Sequence, residues 1–236
     1  MKSEKVTDTA KASASRSYDD ACGAAHGLDL VGERWALLVM RELMLGPRRF
    51  GELRSGLPGI SANVLAQRLE GLERSGIVVR RKLPPPASVQ VYELTPWGYE
   101  GEPIFQALGR WAARSPSHDP TLPLSAAALM LSFGAMFDPS RARGASMRIG
   151  FRFGEELYLV RVDGSGPEVV RGTVDGADAV LTGTPPAVAA AVYGGVPIER
   201  LTESGALSVT GDTRTAEHFF TFFVLPPKAE APTASA

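Results

Sequence analysis

The spacing of apolar residues changes period along the chain. Trp35, Leu38, Val39, Glu42 and Leu43 fall at i, i+3 and i+4 steps, the spacing of one helix face, and Gly46-Pro47 stops that helix. Arg49 to Leu53 reads as a short second helix, ended by Gly56-Leu57-Pro58-Gly59. Ser61 is an N-cap residue for a helix from Ala62 to about Arg74, with Leu65, Leu69 and Leu72 on its inner face and Gly76 at its C-terminal cap. Ile77 to Arg81 and Val89 to Leu94 are β-prone runs joined by Pro84-Pro85-Pro86-Ala87-Ser88, which predicts a hairpin. Thr95-Pro96 caps one last helix in this half, with Ile104, Phe105, Leu108 and Trp111 as its apolar stripe.

Beyond residue 123 the pattern shifts. Leu124 to Phe137 is small and apolar nearly all round, which predicts a buried helix or one lining a cavity. Then Ala145 to Phe153, Glu156 to Val162, Glu168 to Thr173 and Ala179 to Thr182 read as strands, parted by Gly154-Glu155, Asp163-Gly164-Ser165-Gly166 and Asp175-Gly176. Met147, Ile149, Phe151 and Phe153 alternate with Arg148, Gly150 and Arg152, as in a sheet covered on one face. A helix over Pro186 to Tyr193, a strand at Leu207 to Thr210 and a helix over Asp212 to Val224 complete a largely antiparallel sheet flanked by helices. The fold class is therefore α+β.

The 236 residues suit two ordinary domains. The expected organisation is a disordered arm over 1–17, a first domain over 18–115, a linker over 116–123, a second domain over 124–226 and a tail over 227–236. No run of about 18 uncharged apolar residues occurs, and the first segment lacks the apolar stretch of a signal peptide, so the expected setting is cytoplasmic. With one cysteine, Cys22, the chain forms no internal disulfide and no multi-cysteine metal site.

The net charge of -1 hides an asymmetry. Val31 to Leu83 holds ten basic and five acidic residues, whereas from Pro116 onward there are nine basic and thirteen acidic. The positive module suits a polyanion.

Helix, short helix, capped helix and basic hairpin is the order of a winged helix-turn-helix. A helix of this kind fits the major groove of double-stranded DNA, and Ser61, Asn63, Gln67 and Arg68 would lie on its outward face. Asn and Gln pair bidentately with adenine and Arg with guanine. Arg80, Arg81 and Lys82 on the hairpin, and Arg48 and Arg49 at a helix start, are placed to neutralise phosphates.

The run Val31-Gly32-Glu33-Arg34-Trp35, Arg41-Glu42-Leu43, Gly46-Pro47, Arg49-Phe50, Glu52-Leu53 and Leu57-Pro58-Gly59-Ile60-Ser61, then Gln67-Arg68-Leu69, resembles the HxlR-type winged-helix regulators over about Tyr18 to Arg114. The resemblance implies a DNA-binding homodimer whose N- and C-terminal helices form the contact, which would place Phe105, Leu108 and Trp111 in the interface. Some relatives sense oxidants or electrophiles through the cysteine. Here Cys22 precedes Gly23 where family members often have proline, no basic residue adjoins it in sequence, and Asp19 and Asp20 would disfavour its thiolate if close.

The second block resembles the sterol-carrier-protein-type lipid-binding fold through Ala177-Asp178-Ala179, Leu181-Thr182-Gly183, Gly194-Gly195 and Gly205 to Asp212. That resemblance implies an apolar tunnel between sheet and helices. Phe133, Met136, Phe137, Phe151, Phe219, Phe220 and Phe223 are its candidate lining for a small apolar ligand, with a filled core as the other reading.

No catalytic signature is present: there is no Gly-x-Ser-x-Gly, no Walker loop and no dinucleotide fingerprint, and His26, His118 and His218 are scattered. The expectation is a homodimeric transcriptional regulator without catalytic residues, metal or cofactor, controlled by an apolar effector in the second domain. Two other readings stay open: a thiol-based redox regulator using Cys22, and a lipid-carrier module whose winged helix binds protein.

Overall fold

The computed structural model describes residues 17–230 except Gly164. The expected arm over 1–17 therefore lies almost wholly outside the described residues, as does most of the expected tail.

The first half is α1 (Gly23–Val31), α2 (Ala36–Leu43), α3 (Phe50–Gly56), α4 (Ala62–Arg74), β1 (Val78–Lys82), β2 (Gln90–Leu94), α5 (Pro96–Tyr99) and α6 (Glu102–Ala112). Gly46, at φ 107°, turns the chain between α2 and α3. Ser61 Oγ accepts from the Val64 N–H at 3.2 Å, so α4 begins where its cap predicts. Leu65, Leu69 and Leu72 are buried against Val39, Leu43 and Leu53 in one core. The single helix expected after Thr95 is two. Thr95 caps α5 by accepting from the Gly98 N–H at 3.1 Å, and α6 restarts at Glu102-Pro103. Gly98 is required there, because a Cβ would stand 2.4 Å from the Ile77 carbonyl oxygen.

The second half is α7 (Ala126–Met136), β3 (Met147–Phe153), β4 (Glu156–Asp163), β5 (Gly166–Arg171), β6 (Ala179–Gly183), α8 (Pro185–Val192), α9 (Ile198–Glu203), β7 (Leu207–Gly211) and α10 (Thr213–Phe220). The sheet order is β5-β4-β3-β6-β7, antiparallel throughout except for the parallel pair β3–β6. Ile149 and Phe151 face Val160 and Tyr158 across the β3–β4 ladder, so alternation along β3 places one face inward. The short helix α9 was not anticipated: its six residues are too few to show a period.

Helix α7 explains its own composition. Leu129, Met130, Phe133 and Met136 are buried in the sheet's core, while Leu131 packs against the first core. A helix wedged between two apolar masses needs no polar face. Residues 225–229 return to the end of α6: the Ala229 N–H donates to the Arg114 carbonyl at 2.7 Å, and Lys228 Nζ donates to the Ala113 and Ser115 carbonyls.

Candidate nucleic-acid interface

Helix α4 carries its polar residues away from the leucines. Ser61, Asn63 and Gln67 are exposed, and Asn63 and Gln67 share one face at i, i+4 spacing. Arg68 belongs elsewhere. It is 23% exposed, pairs with Glu33 at 3.1 Å and donates through Nε to the Arg34 carbonyl at 3.0 Å, so it ties α4 to the turn before α2. In this arrangement Arg68 is engaged by Glu33 and the Arg34 carbonyl rather than standing free on the outward face.

The hairpin β1–β2 stands beside α4 and is fastened to it. Arg80 donates to Glu73 of α4 at 2.8 Å and lies 5.4 Å from the centre of the Tyr92 ring. Arg81 pairs across the hairpin with Glu93, and Lys82 is exposed at the far end of β1. The hairpin therefore carries less unpaired positive charge than its sequence suggests. Arg49 is exposed at the start of α3, its N–H donating to Glu52 at 2.8 Å, and Arg54 and Arg74 are exposed basic residues the sequence reading passed over.

Arg48 is a correction. It is only 3% exposed, so it does not meet phosphate. Its Nε donates to the Glu42 carbonyl at 3.0 Å, and one terminal nitrogen donates to Glu156 and to the Tyr158 hydroxyl, each at 2.8 Å. Tyr158 in turn donates to the same Glu156 oxygen at 2.5 Å. Burial works against the charge on Glu156, but the Tyr158 hydroxyl and Arg48 outweigh it and hold the carboxyl below its usual range. Burial pushes the Tyr158 hydroxyl well above the usual phenol value. The Arg48 backbone exchanges two hydrogen bonds with Tyr92 of the hairpin, at 2.9 and 2.8 Å.

Two more polar links join the halves. Ser125, which caps α7, donates to Glu42 at 2.7 Å, and Arg171 of β5 donates to the Pro47 carbonyl at 2.9 Å. Between the halves runs an open groove of about 1050 Å³. Glu42, Ser125, Glu156, Tyr158 and Arg171 were all absent from the sequence-derived site. The one available signal was Glu42, a charge on the apolar stripe of α2.

Of the two readings of the phenylalanines, the packing favours the filled core. Phe133, Met136, Phe151, Phe219, Phe220 and Phe223 are buried together, and Phe133 lies 4.6 Å from Phe223, 5.4 Å from Phe219 and 5.6 Å from Phe151, ring centre to ring centre. Phe137 covers Phe223 at 6.1 Å. These are packed-ring distances, so the phenylalanines fill the space a ligand would need.

On α6 the stripe divides. Phe105 is half-buried against the first core, while Ile104, Leu108 and Trp111 are 56%, 43% and 72% exposed. Cys22 is exposed at the N-cap of α1. The Ala25 and Ala24 N–H groups draw its thiol below the ordinary value, against the expectation from the neighbouring aspartates. Trp97, on the short helix α5, is half-exposed. Among the described residues no helix is long and apolar enough to cross a membrane, and no three His, Cys, Asp or Glu residues cluster as a metal site.

Residues 30–119 match the family described as HxlR-like helix-turn-helix. The HTH-type transcriptional regulator YodB of Bacillus subtilis is 41% identical over 83 residues, which span 35% of this chain and 74% of that protein. YvaP of the same organism, an uncharacterized HTH-type transcriptional regulator, is 35% identical over 85 residues, 36% of this chain and 79% of its own. The solved reduced form of YodB is 36% identical and covers 42% of this chain and 98% of that one, with a TM-score of 0.38. The family match over 30–119 and the sequence relatives place the chain in the HxlR-like helix-turn-helix family of transcriptional regulators.

Proposed function

We propose that the chain acts as a homodimer that reads a two-fold related DNA operator through α4, with the β1–β2 hairpin against the phosphate backbone. The carrying observation is the exposure of Asn63 and Gln67 on a helix locked by its own leucine face and by the Arg80–Glu73 pair. Ser61 at the helix start, with Arg49, Arg81 and Lys82, supports the same orientation. The exposed Ile104, Leu108 and Trp111 on α6, with Leu28 of α1 half-exposed, supply the apolar surface for pairing. The second half serves as a regulatory domain of the sterol-carrier type, a reading supported by the Leu207–Asp212 step into α10. The reading assigns the chain no reaction and a cytoplasmic place of action.

The test is selection of duplexes from a random-sequence library, followed by affinity measurements at several salt concentrations. Enrichment of a symmetric motif with half-sites one or more helical turns apart is the expected result. A protein that enriches no motif and binds DNA without salt dependence rejects the reading.

A second reading, thiol sensing, is favoured by Cys22: an exposed thiol at a helix N-terminus with a lowered pKa is the reactive kind. Diamide would then change operator affinity in the native protein and leave Cys22→Ser unaffected.

A further inference from the structure

Arg48 is held by its side chain in one half of the molecule and by its main chain in the other. The guanidinium donates to Glu156 and to the Tyr158 hydroxyl of β4. Tyr158 is fully buried on the inner face of the sheet, opposite Phe151 and 6.2 Å from the Phe153 ring centre. A phenylalanine would fill the same space there. What the hydroxyl adds is one hydrogen bond with Arg48 and one with Glu156.

Tyr92 stands at the root of the hairpin. Its N–H and its carbonyl both go to Arg48, which leaves its pairing with Arg80 of β1 to the side chains. The Arg80 guanidinium lies over the Tyr92 ring and donates to Glu73 of α4. Contacts therefore run without a gap from Tyr158 through Arg48, Tyr92 and Arg80 to Glu73, from the core of the sheet to α4. Beyond this root little holds the hairpin. On β1 every residue from Val79 to Lys82 is exposed, and two strands by themselves are marginally stable in water.

We propose that the second half controls the hairpin through this chain: Tyr158 and Glu156 hold Arg48, Arg48 holds Tyr92, and the hairpin is kept in one position before DNA arrives. Ordering a loose segment on binding costs affinity, and a hairpin already held avoids that cost. A shift of β4 that withdraws the Tyr158 hydroxyl releases Arg48 and loosens the hairpin. Linkage makes the effect mutual: DNA engaged by the hairpin favours the state in which Tyr158 holds Arg48. Tyr158 is thus a positioning residue, acting on DNA only through Arg48. That consequence for DNA affinity rests on the regulator reading; the hold on the hairpin does not.

The experiment is amide hydrogen exchange, followed residue by residue by NMR, on the full chain without DNA. Tyr158→Phe and Glu156→Gln should each speed exchange of the Arg48 and Tyr92 N–H groups about fivefold or more, while Leu65 and Leu69 of α4 keep the parental rate. Glu156 is partly open to solvent, so Glu156→Gln decides the matter should Tyr158→Phe fail to fold. Val188→Ala, a core change on α8, separates this hold from a general loosening of the second half and should leave both N–H groups at the parental rate. Parental exchange at Arg48 and Tyr92 in either folded variant, or equal acceleration in Val188→Ala, overturns the proposal. On the selected operator, Tyr158→Phe should bind about fivefold more weakly, and affinity equal to the parent overturns the control of DNA binding. Because exchange is read without DNA, failure there leaves the regulator reading standing, and failure of the DNA selection leaves the hold on the hairpin standing.

Discussion

Arg48 and Tyr158, separated by 110 positions in sequence, share a hydrogen bond of 2.8 Å that joins the winged-helix half to the sheet half. Glu156 closes the triangle, and the main chain of Arg48 is paired with the hairpin. One side chain therefore bears on both parts. Arg48→Ala would leave Glu156 and Tyr158 facing each other without their cation; with Glu156 partly open to solvent, which screens the pair, the loss is expected at about 1–3 kcal/mol. Chemical denaturation is the check, and a variant as stable as the parent would contradict the arrangement.

The same triangle sets a pH dependence. The folded protein holds the Glu156 carboxyl below its unfolded value, so its contribution to stability is present above the ordinary carboxylate range. It is lost as pH falls through the lowered folded value. The stability difference between the parent and Glu156→Gln should therefore be largest near neutrality and shrink toward acid pH, as followed by urea unfolding at a series of pH values.

Contacts on α4 and the hairpin should separate by type. Asn63→Ala and Gln67→Ala are expected to cost about 1–3 kcal/mol on the selected operator and little on unrelated duplexes. Lys82→Ala should weaken every sequence alike and reduce the log–log salt slope by about 0.9. Arg68→Ala should instead lower thermal stability, because its partners are Glu33 and the Arg34 carbonyl. Anisotropy titrations paired with melting curves distinguish the three.

Removing the α4 cap is a narrower test. Ser61→Ala should cost about 1 kcal/mol, and Ser61→Asp should retain most of the stability by accepting from the same N–H groups. Equal loss in both would mean that the hydroxyl acts on something other than Val64.

On α6, Trp111→Ala is expected to shift sedimentation toward monomer with little change in melting temperature, since the ring is 72% exposed in the single chain. Phe105→Ala should do the opposite, because Phe105 packs into its own core.

What could be read in advance follows the reach of each interaction. The α4 boundaries, the Ser61 cap, the hairpin and the alternation along β3 are local, and local chemistry wrote them into neighbouring residues. The break at Gly101 was hidden because α5 spans only Pro96–Tyr99, too few residues to show a period of its own. Arg48 looked like a phosphate contact because its partners lie 108 and 110 residues away, beyond any periodicity. The phenylalanines looked like a lining because composition cannot distinguish rings around a void from rings stacked on one another. The charge count of the hairpin misled in the same way, since Glu73 offsets Arg80 only once β1 packs beside α4, and Glu93 offsets Arg81 only once the strands pair.

The sheet order carries a consequence for how the chain reaches its native state. Strands β3, β4 and β5 are consecutive and can close as a meander soon after they are synthesised, whereas β6, the parallel neighbour of β3, follows after an excursion through β4 and β5. Until β6 docks, β3 is an edge strand with Ile149 and Phe151 on it, and an open apolar edge recruits other chains. Refolding yield should then depend on protein concentration more steeply than native stability does, and the interval before β6 arrives is when a nascent chain most needs a chaperone.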